Sequence, residues 1–155
     1  MPGCGGLFVK KDLALSKGFQ PSQYKSLAVI NLDPQVRFSE YVEAELVRKG
    51  YQVKDSALVR KVLRQEGLEK EEGFDPQALA KIGSLLQVQG IVLCSVLEFS
   101  RFRDSYRLNI KMVAPNSGNT IWSAQGAKEG SKGQKSSELL KDITASSLRG
   151  LPAVK

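Results

Sequence analysis

The stretch that decides the fold is the apolar run GIVLCSVL at residues 90–97. Its length is typical of a buried strand and falls far short of the ~18–20 residues that a membrane helix needs. The pattern then changes in YRLNIKM at residues 106–112, where apolar side chains alternate with Arg107, Asn109 and Lys111. This period of two predicts a half-exposed antiparallel strand, joined to the first by residues 100–105.

On both sides of these strands the chain alternates between strand and helix patterns. LAVINL at residues 27–32 predicts a buried strand, and Asp33, Asp55 and Asp75 each precede a segment with helical spacing of apolar residues. We expect these aspartates to cap the helices that follow them. A short strand is predicted at residues 51–54, and the last strand, a Gly/Lys loop and a final helix are predicted at residues 120–124, 126–135 and 137–149.

These elements predict an α/β (α+β) sandwich with a mixed sheet of about five strands in the order β-α-β-α-α-β-β-β-α and helices packed on the sheet. Strands separated by helices pair in parallel, whereas strands separated by turns pair antiparallel. The 155 residues predict one folded unit. We expect residues 1–25 to be a flexible tether, residues 26–151 to form the domain and residues 152–155 to be a tail.

Composition excludes several classes of function. The chain has no histidine, which removes Ser-His, Cys-His and most zinc chemistry. No carboxylates stand at a recognisable catalytic spacing, and the Gly/Lys loop lacks the Gly-Lys-Ser/Thr step of a phosphate-binding loop. The sequence therefore predicts no catalytic residue, no metal site and no cofactor.

The net charge of +7 is concentrated in the last third of the chain. One predicted surface along the hairpin combines basic and aromatic side chains: Arg101, Phe102, Arg103, Tyr106, Arg107 and Lys111. Such a surface can bind an acidic protein, phosphate-bearing lipids or single-stranded nucleic acid, or it can simply be solvated.

The two cysteines have different expected roles. Cys4 lies in MPGCGG at residues 1–6, where small neighbours suit lipid attachment, and a surface thiol is the alternative. We expect an export signal upstream of Cys4 in the native precursor that is not part of this sequence. Several acyl chains hold a protein firmly on a bilayer, since each buried CH₂ contributes about 0.8 kcal/mol. Cys94 is expected to be a small buried hydrophobe.

Residues 26–126 resemble the periplasmic α/β domain of the curli-secretion lipoproteins (CsgG-like), the amino-terminal domain of TolB-like proteins and the lipoprotein activators of peptidoglycan synthases (LpoB-like). The resemblance is carried by the strand at 27–32, the helical segments at 41–46 and 56–66, the stretch 79–96 and the hairpin PNSGNTIW at 115–122. The curli pore proteins have longer segments that become membrane strands, and the connections here are too short for them.

The resemblance implies a non-catalytic, protein-binding role in the cell envelope. Together with Cys4 it predicts an outer-membrane lipoprotein that faces the periplasm, and Gly5 after the cysteine is compatible with transport to that membrane in this class. The expected partner is an envelope protein or a further copy of the chain. The alternative is a soluble basic module that binds nucleic acid.

Overall fold

The computed structural model describes residues 10–15 (as backbone), 19–33, 35–68, 74–102, 105–130 and 133–154. From residue 26 onward its elements follow the predicted order, which confirms the fold class. The strands and helices are β1 Lys10–Leu15, β2 Ser26–Asn31, α1 Ser39–Arg48, β3 Gln52–Val53, α2 Ser56–Gln65, α3 Pro76–Leu86, β4 Gly90–Ser100, β5 Ser105–Val113, β6 Thr120–Glu129 and α4 Ser136–Leu148.

The sheet is mixed and has the strand order β1-β6-β5-β4-β2-β3. β2 runs parallel to β3 and to β4, because helices connect these strands. β4, β5 and β6 are antiparallel neighbours, because tight turns connect them. Both pairing modes were predicted from the connections. The sheet nevertheless has six described strands, one more than the expected number.

The additional strand, β1, corrects the prediction of a flexible tether. Lys10–Leu15 pairs antiparallel with β6, from Lys10 opposite Ala127 to Leu15 opposite Trp122. Pro21–Tyr24 forms a short 3₁₀ helix, and Phe19 and Tyr24 pack against the core. The backbone groups of β6 need hydrogen-bond partners on both sides, and β1 supplies them on the side away from β5. A short strand that contains lysine suits the edge of a sheet, because it discourages pairing with a further strand. The rest of the predicted tether before residue 19 lies outside the described residues.

The helices cover the sheet unequally. α1 and α4 pack on one face and bury Leu27, Val92, Ile110 and Trp122 among others. α2 and α3 pack on the opposite face over β2 and the first half of β4. In the described part of the chain, the second half of the sheet, toward β5 and β6, therefore has helices on one face only, and its other face carries the polar residues that alternate along β5.

Two of the three expected helix caps are confirmed. The Asp55 carboxylate accepts a hydrogen bond from the amide of Ala57 at 2.7 Å, and that of Asp75 accepts one from Ala78 at 2.7 Å. The expectation for Asp33 is wrong, because α1 begins only at Ser39. The Asp33 carboxylate instead accepts from the amide of Val96 at 2.6 Å, a contact across 63 residues that local sequence does not encode.

The carboxyl-terminal residues are docked, which corrects the prediction of a tail for residues 152–154. The Tyr51 hydroxyl donates to the carbonyl of Pro152 at 2.7 Å, and the amide of Val154 donates to the carbonyl of Lys49 at 2.7 Å. The segment thereby satisfies a backbone carbonyl left open where α1 ends.

β6 is longer than predicted and takes in the first part of the expected Gly/Lys loop. It continues to Glu129, so Gly126 lies within the sheet, opposite Leu108 of β5. A Cβ at Gly126 would lie 2.8 Å from Cγ2 of Ile143 and would also contact Oγ of Ser147. The glycine is therefore a packing residue that lets α4 approach the sheet closely.

Candidate functional site

The predicted interaction surface lies at one end of the β4–β5 hairpin. Arg101 and Phe102 form part of the turn between the strands, and Arg107 and Lys111 lie along β5. Arg103 lies outside the described residues. The structure therefore brings Arg101 and Phe102 together, while Arg107 and Lys111 follow along the strand.

The hairpin extends past the part of the sheet that β2 supports. The last β2–β4 pair is Asn31 opposite Cys94, and β4 continues from there to Ser100. The Asp33 carboxylate accepts a hydrogen bond from the amide of Val96, so a side chain replaces the next backbone acceptor of the parallel strand pair. The strand register then shifts between Val96 and Glu98, as in a β-bulge. Bulges bend a strand and re-aim its side chains.

The end of the hairpin is apolar and exposed. Phe102 is fully exposed, and Leu97 and Phe99 are 49% and 46% exposed. The rings of Phe99 and Tyr106 stack across the strands with centroids 4.6 Å apart and planes 29° apart. Large apolar side chains exposed together at one point of a surface mark an interaction site more often than scattered ones do.

The basic side chains of β5 lie on the other face of the sheet. Tyr106 packs toward the cluster under α1 and α4, and alternation along the strand places Arg107 and Lys111 on the opposite side. Nε of Arg107 lies 3.7 Å from Oε2 of Glu98, and both groups are exposed. The aromatic pair and these basic groups therefore form two surfaces. Basic and aromatic side chains remain adjacent in the turn, at Arg101 and Phe102.

The remaining sequence predictions concern cysteine, membrane and metal. Cys4 lies outside the described residues. Cys94 is completely buried, as expected, and burial raises the pKa of its thiol. Across the described ranges, no helix combines the length and apolar character needed to cross a bilayer. The same ranges contain no group of three or more Cys, Asp or Glu side chains arranged to hold a metal ion.

A cleft of about 770 Å³ that no sequence pattern predicted lies between α1 and α2, at the carboxyl end of β2. Its walls carry Arg37, Glu40 and Glu43 from α1 and the segment before it, and Arg60 from α2. Ile30, Leu32, Val59, Leu63 and Phe74 are among its apolar lining residues. Each charged residue is ordinary on an amphipathic helix, so no sequence signal distinguishes this set from a solvated face.

Glu43 has an unusual electrostatic environment in this cleft. Burial raises the pKa of its carboxyl above the ordinary value of 4.5, and the neighbouring Glu40 and Asp55 carboxylates raise it further, while Arg60 opposes the shift. In the folded protein Glu43 therefore holds its proton to a higher pH than in the unfolded chain. Stability falls as the pH rises through the folded pKa, because the ionised form is disfavoured in the cleft.

We therefore expect Glu43→Gln to raise the free energy of unfolding at about pH 7 by about 0.5 kcal/mol, a value reduced for partial solvent exposure. The gain should disappear at about pH 3, below the ordinary pKa of 4.5, where the glutamate is mostly protonated in both states. Urea unfolding at the two pH values measures it. Glu129→Gln, at the exposed end of β6, is the matched control and should change little. A variant less stable than the wild type at neutral pH would contradict this account.

The fold and surface together define a class: a small mixed α/β domain with a long protruding hairpin. Solved structures of this fold include a PelC dodecamer from Paraburkholderia phytofirmans, with a TM-score of 0.67 and 13% identity over 95% of this chain and 100% of that one. Lipoprotein GNA1162 from Neisseria meningitidis has a TM-score of 0.60 and 20% identity, over 82% of this chain and 99% of that one. The LpoB C-terminal domain from Salmonella enterica has a TM-score of 0.53 and 16% identity, over 74% of this chain and 88% of that one.

These similarities confirm, at the level of the fold, the resemblance to LpoB-like proteins. No protein-family model and no curated protein matches the sequence. At identities of 20% or less the three structures show a shared architecture. A shared architecture does not determine the contact surface, which depends on the residues of this chain.

Proposed function

We propose that this chain is the domain of an outer-membrane lipoprotein that faces the periplasm and binds an envelope protein or further copies of itself. Cys4 carries the lipid, and the exposed hairpin end makes the contact. We define the hairpin end as Leu97, Phe99, Arg101 and Phe102. In this proposal the domain acts by binding and not by catalysis.

The observation that carries this proposal is the exposure of Phe102 and its neighbours. A fully exposed phenylalanine at a turn gains nothing from folding, because its ring stays in water. In an interface the same ring would be desolvated, and aromatic side chains with arginine beside them are frequent hot spots of binding. The Phe99–Tyr106 stack supports the strands directly behind the turn, so the surface is held in place before a partner arrives.

The compared structures support the setting of the proposal. GNA1162 is a lipoprotein, and PelC is a dodecamer. The GNA1162 structure supports a lipid-anchored role for this fold. The PelC dodecamer supports contact between copies of the domain. The glycines on both sides of Cys4 supply the local pattern for attachment.

Site-specific cross-linking tests the hairpin end. A photo-reactive amino acid in place of Phe102, in the lipoprotein expressed in its native cell, should give one defined cross-linked product, either with itself or with one envelope protein. The control places the same group at Leu85, which is 47% exposed on α3. Phe99→Ser with Arg101→Glu should weaken the product about tenfold or more, as loss of hot-spot residues does. Equal products from positions 102 and 85 would refute the assignment of this surface.

The anchor has a separate test. Metabolic labelling with a fatty-acid probe should label the protein expressed from its full reading frame, and Cys4→Ala should abolish the label and release the protein from the membrane fraction. Cys94→Ala is the control and should leave the label intact, because that thiol is buried in the core. A native reading frame without an export signal upstream of Cys4 would overturn this part of the proposal.

A further inference from the structure

The cleft between α1 and α2 lies where an open sheet with parallel strands usually binds ligands. α1 connects β2 to β3 across one face of the sheet, and α2 and α3 connect β3 to β4 across the other. The first connection leaves the carboxyl end of β2 and the second leaves the carboxyl end of the neighbouring strand β3, on opposite faces, so a crevice lies between the starts of α1 and α2. Ligands of open α/β sheets bind in such crevices. The volume of about 770 Å³ is within the range of small-molecule sites.

The charged walls of the cleft are balanced but unpaired. The walls carry two arginines, Arg37 and Arg60, and two glutamates, Glu40 and Glu43. None of the four forms an ion pair within 4 Å in the described part of the chain. Other charged side chains in the same part do form such pairs. The cleft therefore presents two cationic and two anionic groups that are available to a bound molecule.

The arrangement also lowers stability. Glu43 is partly removed from water beside two other carboxylates, and its ionised form is disfavoured for both reasons. A chain selected only for stability would have a neutral side chain at this position. Groups kept in a cleft at a cost to stability are candidates for function.

We propose that this cleft binds a small zwitterion of the amino-acid or short-peptide class. The ammonium group lies against the carboxylates of Glu40 and Glu43, and the carboxylate group lies against Arg37 and Arg60. The apolar lining, which includes Ile30, Leu63 and Phe74, contacts the aliphatic part. This site is independent of the hairpin end, so the cleft and the proposed protein contact can fail separately.

An NMR titration of the whole chain tests the proposal with alanyl-alanine as the probe. We expect saturable shifts confined to backbone amides at residues 30–43 and 56–63. N-acetyl-alanyl-alanine lacks the ammonium group, and alanyl-alanine amide lacks the carboxylate. Each should bind about tenfold more weakly or worse, because one pair of charged groups in the cleft then loses its partner.

Two variants separate binding from folding. Glu43→Gln should weaken alanyl-alanine binding about tenfold while making the protein no less stable, so loss of structure cannot explain the loss of affinity. Glu129→Gln should bind as the wild type does. Phe102→Ser should also bind normally, even where it abolishes the protein contact. The proposal is wrong if the dipeptide gives no saturable shifts, if both blocked analogues bind equally well, or if Glu43→Gln leaves the affinity unchanged.

Discussion

Replacing Trp122 by alanine is expected to lower the free energy of unfolding by about 3–5 kcal/mol, the largest loss from any single truncation in this domain. Trp122 is 1% exposed and is among the largest of the fully buried side chains. It lies on β6 between Leu15 of β1 and Met112 of β5 in the register of the sheet. Its removal opens a cavity beneath α4 at the point where three strands meet, and a rigid sheet cannot collapse to fill it.

Trp122→Phe is the control for this prediction. The indole Nε1 has no hydrogen-bond partner among the described residues. Phenylalanine keeps most of the ring and removes this buried donor, so the loss should be about 1–2 kcal/mol. Urea unfolding followed by far-ultraviolet circular dichroism is the suitable measurement, because Trp122 is the only tryptophan and fluorescence disappears with it. A loss below about 1 kcal/mol for alanine would show that this core is loosely packed.

Replacing Gly126 by valine should destabilise the domain by about 3 kcal/mol through overpacking. The first added carbon would already overlap Oγ of Ser147 and lie 2.8 Å from Cγ2 of Ile143. α4 would have to move away from β6, and its buried face would lose contacts with the sheet. Gln125→Val is the matched control, because Gln125 is the exposed neighbour on the other face and valine suits a strand.

A double-mutant cycle locates the clash. Ser147 donates a hydrogen bond to the carbonyl of Ile143 at 2.7 Å, so Ser147→Ala alone loses one intrahelical contact. In combination with Gly126→Ala it should recover part of the loss, with a coupling of about 0.5–1 kcal/mol. Strictly additive losses, measured by the same urea unfolding, would show that contact with Ser147 is not the cause.

Local patterns were sufficient for most elements from residue 26 onward. The run at 90–97 lies in β4 and is buried from Gly90 to Cys94, the alternation at 106–112 is β5, and Asp55 and Asp75 cap α2 and α3. These features depend on neighbours within a few residues, so periodicity and capping chemistry reveal them. The buried face of α4, with Leu140, Ile143 and Leu148, follows from helical spacing in the same way.

The failures share a physical cause, which is contact between distant segments. Lys10–Leu15 becomes a strand because β6 offers it backbone partners, although its own pattern is not that of a strand. Asp33 has the chemistry of a cap, but the amide of Val96 is the partner that the fold brings to it. The local sequence around Gly126 is typical of a loop, and the need for glycine there arises only from the close packing of α4 on the sheet.

By itself the sequence determined the class of fold, the order of its elements from residue 26 onward and the hairpin with its aromatic and basic residues, because these follow from local spacing. Only the tertiary structure decided that Phe102 stands exposed with Phe99 while Arg107 faces the other way, since the register and bulge of two paired strands set those directions. The tertiary structure also assembled the cleft, because its arginines and glutamates come from α1, the segment before α1 and α2, and the two helices pack on opposite faces of the sheet.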